Sequence, residues 1–287
     1  MKVAFTILIT ILSLSYSAAQ GMGERELKDN LTFYADVMIN ASEASSRTFA
    51  AENFDELFDT YLQQKSIYTD SSDFFKYISI LDTPDDKFKL VTWLIKGDNE
   101  SYDFRGFVVR PDGSYIQLVK NDEVSQELEY SSSNHENWYG CLYYKMIPNK
   151  DTDGYVLFGY DPNGRFDNQK IVDHMYVKAN SVDFGAEIFE DKDNLDTYKN
   201  RLVLKYSSDA SVTVNYNVDM KMIVHDHLSE VMGLQAGQGP TAIPDGTYEG
   251  YYFEDGKWKY KEKLFNHVYD EAPRPQPVFK DTEDKSK

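Results

Sequence analysis

The sequence is poor in cysteine, poor in positive charge and, past its first twenty residues, free of long apolar runs. Cys141 is the only cysteine among 287 residues, so no intramolecular disulfide can form. Its setting, "NWYGCLYYKMI", is apolar, and the thiol reads as a buried, inert side chain rather than a nucleophile. Lys and Arg number 30 against 48 Asp and Glu, a formal net charge of −18. That balance argues against nucleic acid and against an anionic membrane surface, since both need clustered cations. No stretch beyond the opening segment approaches the roughly 20 apolar residues of a membrane span. A G-x-S-x-G elbow, an H-E-x-x-H helix and a phosphate loop are also missing. No hydrolase, zinc-protease or nucleotide site can therefore be read off a motif, and no cofactor is expected.

What is present begins with "MKVAFTILITILSLSYSAAQ". One Lys, an apolar run of about 15 residues and then small residues have the layout of a cleavable secretory signal. Ser17 and Ala19 supply the small side chains for cleavage after residue 19. No cysteine follows the run, so a lipoprotein anchor is not expected there. The implied address is secreted or periplasmic, with no membrane-spanning segment left after signal removal.

Residues 20–70 read as a helical segment. Leu27, Leu31, Tyr34 and Met38 keep a 3–4 spacing, as do Phe54, Leu57, Phe58, Tyr61 and Leu62, with a break near "ASEASSRT". From about residue 75 the period changes to two. "TPDD" (83–86), "RPDG" (110–113), "DPNG" (161–164) and "EDG" (254–256) punctuate runs of Tyr, Phe, Val and Ile. Residues 71–264 are therefore expected to be a mainly β domain of antiparallel hairpin or meander sheets, sandwich- or barrel-like. "WYGCLYYKMI" is apolar on both parities and reads as a central strand covered on both faces. "SVTVNYNVDMK" alternates, with Val212, Val214, Tyr216 and Val218 on one side. Residues 233–246, rich in Gly and Pro, read as a long loop. The last stretch, 265–287, is Pro-rich and charged, an extended tail.

Chemistry concentrates in "MIVHDHLSE". If the strand of 211–220 runs on unbroken, His225 and His227 share one face about 7 Å apart. They could then begin a metal site, with Glu230, Glu249 or His174 as a third ligand, although zinc wants three or four. "HDHLSE" followed by "GPTAIPDGTYE" resembles in part the paired metal motifs of cupins, Glu249 standing where a histidine would be. Asp226 and His227 are the alternative centre of an acid/base or metal-dependent hydrolase. Carbohydrate binding is a third reading, given that Tyr, Phe and Trp make up 15% of the chain; Trp138 and Trp258 would be its platforms.

The combination "WYGCLYYKMIP", "YVLFGYDPN", "IVDHMYV", "MIVHDHL" and "IPDGTYEGYYFEDGKWKY" resembles an uncharacterised family of signal-bearing, β-rich proteins of Bacteroidota. The resemblance covers most of residues 75–264 and implies a cell-envelope address without implying a reaction. It also implies an aromatic at the position of His225, which favours Asp226, His227 and Leu228 over His225. The expected role is non-catalytic, structural or ligand-binding, with a glycan or an envelope protein as candidate partner.

Overall fold

The computed structural model describes residues 22–64, 66–98, 100–121, 127–149 and 154–264. The signal segment (1–19) and the Pro-rich tail (265–287) lie outside the described residues. Two helices open the described chain, α1 (Glu24–Asn40) and α2 (Ala44–Gln63), separated where the sequence places its break. Strands follow from residue 79. The protein is mainly β.

β1 (Ser79–Asp82), β2 (Lys89–Lys96), β3 (Tyr102–Val109) and β4 (Tyr115–Leu118) form the first sheet, in sequence order. The central sheet contains β5 (Ser133–Asn134), β6 (Leu142–Asn149), β7 (Gly154–Asp161), β8 (Asp167–Val177) and β9 (Val182–Phe184). The third sheet begins with β10 (Phe189–Asp191) and β11 (Asn194–Lys199). The chain returns to the central sheet for β12 (Arg201–Ser207), which pairs with the first half of β8 while β9 pairs with the second. The third sheet is completed by β13 (Val214–Asn217), β14 (Met222–Met232), β15 (Pro240–Glu254) and β16 (Lys257–Lys261), in the order β11-β10-β16-β15-β14-β13. Its pairs are antiparallel except β10 with β16. All four turn motifs named above fall between paired strands.

The layers stack as helices, first sheet, central sheet, third sheet. α1 and α2 bury Leu27, Leu31, Phe54 and Phe58 against Val91, Trp93 and Phe107 of the first sheet. Its opposite face, with Leu90, Phe104 and Val108, packs on Tyr143, Leu157, Ile171 and Met175 of the central sheet. Val156, Phe158, Val172, Leu202 and Leu204 then face Val214, Ile223, Tyr251 and Trp258 of the third sheet. Strand alternation makes this possible, because neighbouring residues of β7 and β8 point to opposite layers.

Two expectations are corrected. β6 sits at the edge of the central sheet, with Tyr144 exposed, and β7 is the strand covered on both faces. Trp138, Tyr139 and Cys141, which made the sequence look doubly apolar, precede β6. Residues 233–246 are a loop only as far as 239; Pro240 begins β15. Pro240 and Pro244 are tolerated because β16 pairs only with 250–254, leaving that flank of β15 without a β16 partner.

Candidate functional site

The site is made by an irregularity in the β14–β15 hairpin. Its register runs Met222↔Tyr252 to Asp226↔Tyr248 and then jumps to Leu228↔Pro244. His227 alone therefore opposes Asp245, Gly246 and Thr247. Asp245 closes this bulge by accepting the Thr247 N–H (2.9 Å) and hydroxyl (2.7 Å) on Oδ1, while Gly246 takes φ +88°, a conformation that suits glycine. Turn chemistry thus sits inside a strand, which is why the sequence there reads as a loop.

The consequence is a change of facing. Val214 and Tyr216 pair with His225 and Ile223, so His225 joins the dry face of the hairpin. Beyond the bulge, Leu228 and Glu230 line the same cleft as His225, while His227 and Ser229 both reach Asp245. The two histidines therefore do not share a face, and the expected His-x-His metal pair is not formed. The unbroken-strand count failed twice, at the turn of 218–221 and at the bulge. Among the described residues no group of three His, Cys, Asp or Glu is arranged to hold a metal ion.

His225 is 4% exposed. Its ring lies stacked near Tyr251, centroids 5.9 Å apart, and Nδ1 lies 3.0 Å from the Asp226 carbonyl oxygen. Since a carbonyl can only accept, Nδ1–H donates and the neutral ring carries its lone pair on Nε2. Burial holds the imidazole below its ordinary pKa. Nε2 itself is buried and has no hydrogen-bond partner. Glu249, opposite in register, accepts from the Tyr260 hydroxyl (2.5 Å) and from Lys192 Nζ (3.5 Å), and its Oε1 lies 3.7 Å from His225 Nδ1. Burial raises the Tyr251 and Tyr260 hydroxyls well above the phenol range.

Around these groups opens a cleft of about 310 Å³ between the third sheet and β12. Its walls alternate charge: Glu129, Glu230 and Glu249 against Lys192, Lys199 and Lys205, with Leu202, Leu204 and Tyr251 between. Most of these charges are already paired, Lys199 with Glu129 (3.1 Å) and Lys205 with Asp167 (3.0 Å). The cleft can exchange hydrogen bonds with a polar, uncharged ligand more readily than it can neutralise an ion.

Other expected site residues are dispersed. The Asp226 carboxylate accepts the Thr213 N–H (2.6 Å), so it is committed to the β13 backbone. His227 pairs with Asp245 (2.7 Å) on the other, half-exposed face. Asp245 is held well below the usual carboxylate range, chiefly by the Thr247 N–H and hydroxyl. Asp226 and His227 therefore form no hydrolytic pair. His174 is buried in β8, where burial pushes it down to about 4. Trp138 is 0% exposed and donates to the Tyr143 hydroxyl (3.2 Å) inside the inner core, so it offers no face to a sugar. Trp258 lines a different cleft. Sequence reasoning missed Tyr251 and Tyr260, although the alternation of "TYEGYYFEDGKWKY" places Glu249 and Tyr251 on one face. Lys192 and Glu129 come from distant segments and carry no local signal.

No protein-family model, curated protein or solved structure matches this chain.

Proposed function

We propose that this is a non-catalytic binding protein of the cell envelope, secreted or periplasmic, whose ligand is a glycan or glycan fragment seated in the His225 cleft. The observation that carries the reading is His225, which lines the cleft and whose buried Nε2 lone pair has no donor to meet it. An unmade hydrogen bond of this kind costs about 1–3 kcal/mol, which a ligand hydroxyl would recover. Polyols suit the rest of the wall as well. Glu230 and Glu249 can accept from hydroxyls, and Lys192 and Lys205 can donate to them. Among the described residues no helix is long and apolar enough to cross a membrane. The envelope address rests on the signal-like opening residues and on the Bacteroidota resemblance.

Isothermal titration against a panel of neutral, amino and acidic oligosaccharides tests the proposal. At least one class should bind, and His225→Leu should weaken it tenfold or more while leaving the unfolding free energy within about 1 kcal/mol of wild type. A panel without binding, or a His225→Leu variant that binds like wild type, would sink it. Hydrolysis of the bound sugar would overturn the non-catalytic part.

A further inference from the structure

The outer sandwich is open at a second place, between the end of β6, the 218–221 turn and the β15–β16 hairpin. A cavity of about 310 Å³ lies here, walled by Ile147, Pro148, Tyr216, Val218, Phe253 and Trp258, with Lys145 and Lys221 also on its lining. Unlike the His225 cleft, its surface is predominantly apolar. Two of its lining residues carry buried polar atoms without partners. Asn149 is 3% exposed, and neither its Nδ2 nor its Oδ1 has a hydrogen bond; the Trp258 indole N–H is in the same state. Lys145 is engaged elsewhere, donating to Asn215 Oδ1 (2.6 Å) and the Tyr216 carbonyl (3.1 Å).

Buried polar side chains in folded proteins are nearly always satisfied, and a carboxamide left wholly unpaired is unusual. An apolar residue of similar shape would serve the fold better if position 149 were only structural. An apolar cavity with a few convergent polar groups is the ordinary form of a small-molecule site. The polar groups here specify the ligand's head. A carboxamide presents one donor edge and one acceptor edge in a plane, which another amide meets reciprocally with its own C=O and N–H. The Trp258 indole N–H is a second unpaired donor on a residue of the same lining. The ring walls of Tyr216, Phe253 and Trp258 specify an apolar or aromatic body.

We infer that this cavity is a second binding site, for a small uncharged amide carried on an apolar or aromatic body, read by Asn149 and Trp258. It is independent of the glycan reading, since its residues and those of the His225 cleft do not overlap.

The test is a ligand titration of the full mature chain followed by the Trp258 indole N–H resonance, assigned with Trp258→Phe. The probes are N-phenethylacetamide, its ester phenethyl acetate, which lacks the N–H, and 3-phenylpropionate. The amide should shift the Trp258 resonance and bind at least tenfold more tightly than the ester. Asn149→Leu should abolish that preference and, because it removes two unsatisfied atoms, should unfold at a higher temperature than wild type. No shift of the Trp258 resonance with any probe at millimolar concentration would overturn the site. Tighter binding of the carboxylate would overturn the amide assignment. An Asn149→Leu variant that keeps the preference, or that is less stable than wild type, would overturn the role of Asn149. His225→Leu should leave amide binding unchanged, so a failure here and a failure of glycan binding are told apart.

Discussion

The layer under the helices and the outer sandwich are built from the same residue types, yet they treat polar groups differently. Beneath α1 and α2, Phe54, Phe58, Phe74, Trp93 and Phe107 interlock, with Phe58 and Trp93 centroids 5.1 Å apart. The buried Arg47 there distributes its guanidinium over the carbonyls of Ala41, Ser42, Lys96 and Gly97, tying the helix–helix junction to β2. The outer sandwich instead leaves His225 Nε2, the Asn149 amide and the Trp258 N–H unpaired on residues that line cavities. Trp93 Nε1 and Asp55 Oδ1 are also unpaired, but the Trp93 ring is packed among Phe54, Phe58 and Phe107 and Asp55 is tied to Arg105 through its other oxygen (2.7 Å). In the helical layer the unpaired atoms sit in aromatic packing or an ion pair, whereas in the outer sandwich they sit on residues that line cavities.

The sharpest way to break this contrast is through the central sheet that both regions share. Arg201 and Asp173 are both 0% exposed and 2.8 Å apart, with Arg201 also donating to the Leu128 and Ser131 carbonyls. Arg201→Ala should cost about 3–5 kcal/mol in urea unfolding, because it leaves Asp173 buried and unpaired. A loss below about 1 kcal/mol would mean the layers tolerate orphaned charge throughout. Next comes Phe58→Ala, expected to cost about 3–5 kcal/mol. Phe253→Ala at the open cavity should cost under about 2 kcal/mol. Equal losses at the two positions would erase the distinction between regions.

A pH experiment sharpens the comparison at smaller amplitude. His174, on the face of β8 turned toward the third sheet with Val172, is pushed down to about 4 by burial, and Asp161, at the end of β7, is pushed up to about 6 by the same cause. Between pH 6 and 4 the unfolded chain protonates His174 while the folded chain does not, so this group lowers stability as pH falls. Asp161 has the opposite sign, since the folded chain takes up its proton first. Each contributes about 1.4 kcal/mol per pH unit where only one state is protonated. The two largely cancel in wild type. Asp161→Asn should therefore lose stability more steeply than wild type as pH falls from 6 to 4. Parallel curves would contradict the assignment. The smallest stability effect is expected for His225→Leu, within about 1 kcal/mol of wild type.

Much of the fold was legible in the sequence. Helical spacing on either side of residues 41–43, and four Pro/Gly/Asp turn motifs, mark real junctions because they report local backbone preference. The site was only half legible. Glu249 and Trp258 do line clefts, but His225, which the family resemblance made incidental, is the buried group at the cleft wall, and His227 faces away from it. Parity arguments fail wherever the strand breaks, and here "IPDGT" folds a turn into the middle of β15. Lys192 and Glu129, which complete the cleft, arrive through long-range packing that no local pattern records.

The measurement that tests the account most directly is the 15N resonance of His225 Nε2, followed as a bound oligosaccharide saturates the protein. The free protein should show an unprotonated, unpartnered nitrogen near neutral pH, and binding should move it toward a hydrogen-bonded value while the His227 resonances stay in place. An unchanged Nε2 at saturation, or a shift confined to His227, would contradict the assignment of the cleft.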